Sequence, residues 1–142
     1  MARLSLVIDA SIAVKWFSTL EEANVPQAVD ILDRCTKGQI DLLVPALLYY
    51  EVSNALVYKK VLSNEKVRLS IAGLFSLGMQ TIHTDTDFML MSAGLARQFG
   101  ITVYDACYVA LAQRLDCPLV TANPRHQGQT LGCQVIPIEE WK

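Results

Sequence analysis

Asp9, Glu51, Asp105 and Asn123 carry side-chain oxygens at positions where an α/β chain concentrates chemistry. Asp9 directly follows the apolar run Leu4–Ile8, so it stands at the carboxyl end of an expected strand. Glu51 lies at helical spacing from Leu47, Leu48 and Ala55, on or beside a face due for burial. Asp105 falls in the first turn of an apolar helix that includes Ala106, Val109, Ala110 and Ala112. Asn123 follows the strand-like Leu119–Thr121. Each has a plain structural alternative. Asp9 can cap a helix, Glu51 can reach water, Asp105 can complement a helix dipole, and Asn123 before Pro124 can be a turn residue. Taken together they say more, because gathered carboxylates repel by about 4 kcal/mol per close pair at an effective dielectric near 20. A divalent cation removes that penalty, and hard oxygen ligands select Mg²⁺ or Mn²⁺. Such a site suits water activation and in-line attack on a phosphodiester.

The elements that must position these residues alternate between strand and helix. Strands are expected at Leu4–Ile8, Leu42–Val44, Gln80–His83, Leu119–Thr121 and Gln134–Pro137. The first helix is expected over Ser11–Phe17. A second starts near Pro26, with Asn24 as cap, and runs toward Gly38. Ala46–Leu62 and Asn64–Leu77 read as a helical hairpin, with Ser63 as N-cap and Gly78 as stop. Asp85 and Asp87 favour a helix start, and that helix should end near Gly100. The last helix spans Val103–Leu115. This alternation predicts a three-layer α/β fold with a mostly parallel sheet. No strand leads into a Gly-rich phosphate loop, which excludes the Rossmann and P-loop fingerprints.

Hydrophobic residues make up 52% and charged residues 18% of the 142 positions, apolar enough for a real core and against disorder. The length suits one domain over residues 1–142. The net charge of −2 gives no global basic field, so any nucleic-acid chemistry needs local positive charge, which a bound metal supplies. Cys35, Cys107, Cys117 and Cys133 form no C-x-x-C pair, which argues against zinc and fits a reduced, cytoplasmic setting; Cys107 reads as a buried thiol. The stretch after Arg3 is interrupted by Asp9 and does not read as a signal peptide. Leu42–Tyr50 is too short and broken to cross a membrane.

Four blocks in order resemble the PIN-domain motifs. They are Val7-Ile8-Asp9-Ala10-Ser11, then Pro45 through Glu51-Val52-Ser53-Asn54-Ala55-Leu56. Thr102-Val103-Tyr104-Asp105-Ala106-Cys107-Tyr108 follows, and then Leu119-Val120-Thr121-Ala122-Asn123. The ordered set covers nearly the whole chain and is most similar to VapC-type toxin ribonucleases. The resemblance implies a five-stranded parallel sheet in order 3-2-1-4-5, flanked by helices. It also implies Mg²⁺- or Mn²⁺-dependent endonucleolytic cleavage of RNA, of the tRNA or rRNA class. It further implies a homodimer and a small antitoxin that inserts a peptide into the acidic groove. Asp9, Glu51, Asp105 and Asn123 would be the catalytic, metal-holding set. The chain departs from the family in one respect, since Asn123 stands where an Asp is usual. An amide oxygen can bind a metal or its water but brings no charge.

Two residues are candidate supports. Ser11 matches a hydroxyl that orients a metal-bound water in the family, with capping as its alternative. Asn54, one turn from Glu51, could face the groove or be an ordinary buried amide. Lys59, Lys60, Lys66 and Arg68 around the hairpin are a solvated face or phosphate contacts, and Arg125 and His126 are candidate substrate contacts. Trp16, Phe17, Tyr49 and Tyr50 read as core or dimer surface. A second reading makes the chain a non-catalytic PIN module, a binding or scaffold protein weakened at Asn123. A third, a phosphatase using Asp9 as nucleophile, lacks the second Asp expected at Ser11.

Overall fold

A computed structural model describes residues 3–123 and 132–142. The candidate contacts Arg125 and His126 lie outside the described residues. β1 (Leu4–Ile8) leads into α1 (Ala10–Ala13), which tightens into a 3-10 turn over Val14–Trp16 where one continuous helix was expected. Next come α2 (Val25–Thr36), β2 (Ile40–Pro45), α3 (Leu47–Val57) and α4 (Asn64–Phe75). β3 (Gln80–Ile82), α5 (Thr86–Phe99), α6 (Val103–Leu115), β4 (Leu119–Thr121) and β5 (Val135–Pro137) complete the order, with a closing 3-10 turn at Ile138–Glu140.

Local chemistry sets most helix ends. Ser63, Asp85 and Thr102 each accept a backbone N–H from the first turn that follows, at 3.1, 2.8 and 3.0 Å. Gly100 closes α5 in the left-handed region at φ 66°. Asn24 is a correction. It precedes α2, but its backbone is left-handed at φ 56° and its side chain makes no cap bond, so Pro26 in the first turn is the start signal that acts. α3 also stops five residues short of Leu62. Val57, Tyr58 and Val61 are exposed, so another turn there would bury little apolar surface.

The five strands form one parallel sheet in order β3-β2-β1-β4-β5, as expected. β1 lies in the middle, with Leu4 beside Ile40 on one side and Val7 beside Leu119 on the other. Leu6, Val7 and Ile8 are fully buried, as a parallel strand covered on both faces requires. The strand order reverses at β1. Right-handed crossovers therefore put α5 and α6 on the face opposite the earlier helices. α6 crosses β2, β1 and β4. Ala106 to Ala112 are all buried, and the small residues among them let the helix lie close to the strands.

Asp85→Ala removes the carboxylate that caps α5. It should lower unfolding free energy by about 1 kcal/mol in urea titration.

Candidate active site at the carboxyl edge of the sheet

The register that pairs Ile8 with Val120 brings the next residues, Asp9 and Thr121, abreast at the carboxyl ends of β1 and β4. This is the point where the strand order reverses, the usual place for a site in such sheets. Asp9 is only 5% exposed. Its Oδ1 accepts the backbone N–H of Ser11 at 3.1 Å and also the Ser11 hydroxyl. Its Oδ2 accepts the Thr121 hydroxyl. Each hydroxyl is polarised by a backbone N–H of the segment that ends β4. Ser11 Oγ accepts the Ala122 N–H at 2.9 Å, and Thr121 Oγ1 accepts the Asn123 N–H at 3.0 Å. With their lone pairs so engaged, both hydroxyls turn their protons to the carboxylate. These bonds orient Asp9 and tie the ends of β1 and β4 together, but they do not neutralise its charge.

Glu51 reaches the same edge from α3. The Tyr108 hydroxyl donates to its Oε1 at 2.6 Å from the buried face of α6. Burial pushes the Tyr108 phenol far above its ordinary range. The charge and hydrogen bond of Glu51 push it further, and so does the charge of Asp9. One buried phenol thus feels both carboxylates. Asp105 lies one helical turn before Tyr108, half-buried in the first turn of α6. Asn123 is half-buried directly after β4. Thr121 thus links Asn123 to Asp9, and Tyr108 links Glu51 to the neighbourhood of Asp9, with Asp105 one turn before Tyr108 on α6. Among the described residues no three His, Cys, Asp or Glu side chains are close enough to hold a metal ion. The donor set fits a hard divalent ion in chemistry, being all oxygen.

The PIN domain pattern matches residues 6–128 of this chain. The chain belongs to the PIN domain family. Solved structures similar to this PIN domain include VapBC2 from Rickettsia felis bound to a DNA fragment from their promoter. That match has TM-score 0.68 and 12% identity, covering 94% of this chain and 98% of that one. A toxin–antitoxin complex from Klebsiella pneumoniae matches at TM-score 0.68 and 18% identity, over 94% and 97% of the two chains. VapC20 from Mycobacterium tuberculosis, described as a sarcin–ricin loop cleaving toxin, matches at TM-score 0.62 and 12% identity, over 82% and 87%. These likenesses establish the fold. No curated protein matches the sequence.

Ser11 is a structural partner of Asp9 inside this PIN domain and not a cap, since Asp9 itself holds the N-cap position of α1. Asn54 is exposed. It lines an open groove of about 820 Å³ with Tyr49, Tyr50, Val57, Phe75 and His83, a groove that Asp9, Glu51, Asp105 and Asn123 do not line. The Lys59 ammonium stands 3.7 Å from Glu22, which also binds the buried Lys15 at 3.2 Å. Lys60, Lys66 and Arg68 face solvent. Trp16, Phe17 and Tyr49 pack against the core, and Tyr50 is exposed. Thr121 and Tyr108 were missed by sequence reasoning. Tyr108 had one usable signal, its place three residues after Asp105 and so on the same helical face.

Tyr108→Phe should lower stability at neutral pH by about 1.5–3 kcal/mol, the worth of a hydrogen bond to a charged acceptor. It should also change alkaline behaviour. The folded-state value is raised, so the stability Tyr108 confers is complete below the unfolded value of 10.0 and is lost as pH rises above it. Urea titrations from pH 9 to 11 should show the wild type losing up to about 1.4 kcal/mol per pH unit more than Tyr108→Phe. Parallel slopes would show that the phenol is not held in this way.

Proposed function

We propose that this chain is a divalent-metal-dependent endoribonuclease and the toxin of a VapBC-type toxin–antitoxin pair. The observation that carries the reading is the oriented Asp9 carboxylate at the switch point of a PIN sheet, with Glu51 brought to the same edge. Asp9, Glu51 and Asp105 would hold Mg²⁺ or Mn²⁺, with the Asn123 amide oxygen as a neutral fourth donor. When bound, that ion supplies an activated water and charge neutralisation at the scissile phosphate. Ser11 and Thr121 fix the direction of the Asp9 lone pairs, and Tyr108 fixes Glu51. The substrate is RNA of the tRNA or rRNA class, a reading supported by the similarity to VapC20, a sarcin–ricin loop cleaving toxin. The partner is a small antitoxin, supported by the toxin–antitoxin complexes that share the fold. The exposed Tyr50, Val57 and Phe75 around the open groove favour cover by protein, the antitoxin or a second copy in a homodimer. Among the described residues no helix is long and apolar enough to cross a membrane; the proposed place of action is the cytoplasm.

A second reading draws on Asn123. A site with three carboxylates and an amide binds metal more weakly than one with four acids, and the chain would then act as a non-catalytic binding or scaffold module. A phosphoaspartate enzyme is disfavoured, because Asp9 is buried and both its oxygens accept hydroxyl protons.

The deciding experiment incubates purified, antitoxin-free protein with total tRNA and rRNA in Mg²⁺, in Mn²⁺ and in EDTA. Discrete fragments are expected with either metal and none with EDTA or with Asp9→Asn. Ser11→Ala should retain cleavage lowered roughly 10–100-fold, the usual effect of losing a group that orients a metal ligand. Asn123→Asp should raise both Mn²⁺ affinity and rate. Intact RNA throughout, with folded protein and with Asn123→Asp equally inert, selects the binding module.

A further inference from the structure

The parallel sheet has a second end. Following β4 and β5 back two residues from the paired Leu119 and Val135 leads to Cys117 and Cys133. The two stretches are already joined there, because the Leu119 N–H donates to the Gln134 carbonyl at 2.9 Å. Both cysteines line one small cavity of about 120 Å³, together with Gln113, Asp116, Gly132 and Gln134. We propose that Cys117 and Cys133 form a reversible disulfide, a redox-modification site at the amino edge of the sheet, at the end of β4 opposite Asn123.

Neighbouring strands run about 4.8 Å apart, and disulfides form where Cα atoms are roughly 4.4–6.8 Å apart. Gly132 adopts φ +74°, and a Cβ there would run into the Gln113 side chain, so this turn delivers Cys133 to the cavity. The charge of Cys117 is felt at Cys133, as expected of thiols that face each other. Cys35 and Cys107 lie elsewhere, the first near Leu42 on α2 and the second near Ser92 on α6.

The oxidant is a low-molecular-weight disulfide. The half-buried Cys133 loses its proton to solvent, and its thiolate attacks one sulfur of that disulfide. The S–S bond breaks, one small thiolate leaves and takes up a proton, and a mixed disulfide remains. The Cys117 thiolate, deprotonated in turn, then attacks the Cys133 sulfur and expels the second small thiol. Two protein thiols are oxidised and one small disulfide is reduced to two thiols. Burial pushes both cysteines up, so thiolate is scarce near neutrality and the site answers sustained oxidation, not brief exposure. The bond closes a loop over the fifteen residues between them, which include Asn123.

The test incubates the reduced full-length protein with oxidised glutathione, alkylates the remaining thiols, digests without reductant and maps peptides by mass spectrometry. The expected product is a Cys117–Cys133 bridge with Cys35 and Cys107 still alkylated. The thermal midpoint should rise by about 10 °C and fall back with dithiothreitol. Cys117→Ser and Cys133→Ser should each abolish the bridge and the reversible rise. Glutathione retained on either cysteine without a bridge overturns the proposal. So does a bridge that involves Cys35, Cys107 or a second chain. The wild-type peptide map decides even where a serine variant does not fold.

Discussion

Water cannot solvate a carboxylate that is 5% exposed, yet Asp9 ends the middle strand of the sheet in that condition. A buried charge of this kind costs several kcal/mol unless hydrogen bonds replace its hydration. Here they come from both sides of one strand junction, Ser11 after β1 and Thr121 at the end of β4. The arrangement works in a single register. A slip of one residue between β1 and β4 would turn Thr121 to the other face of the sheet and strand the charge. The pairing of β1 with β4, the path of the chain into Asn123 and the orientation of Asp9 are therefore one constraint seen from three sides. A helix supports it. α6 begins with Asp105 in its first turn, so the positive end of its dipole lies beside that carboxylate.

Much of this was legible in the residues, and the reasons are specific. β1 and β4 read as strands because burial on both faces demands unbroken apolar runs. Asp9 and Asn123 stood out because polar residues directly follow those runs. α6 was placed to the residue at both ends by its apolar content and by the carboxylates around it. Thr121 was invisible as a partner because its role depends on a contact with a residue 112 positions away, set by strand pairing and not by any local pattern. The end of α3 was misjudged for a related reason. Val57 and Val61 look like core residues in sequence, and only the packing shows that nothing covers them. Asn24 has the right side chain for a cap and the wrong backbone, which composition does not report.

A fully parallel sheet is a polar object. Its carboxyl edge collects helix starts and acidic side chains, while its amino edge collects helix exits. In this chain the exit of α6 runs through the left-handed Asp116 directly into Cys117. Opposite ends of β4 therefore carry chemically unrelated groups three residues of strand apart, hard oxygens at one and soft sulfurs at the other.

The tryptophans extend the point to spectroscopy. The Trp16 indole donates to the Ala28 carbonyl, and the Trp141 indole donates to Asp30 under the Arg34 guanidinium. Both chromophores are thus fastened to α2, on the flank of the sheet away from Tyr108 and Asp105. Intrinsic fluorescence of this protein therefore reports whether α2 and the chain's last residues are docked.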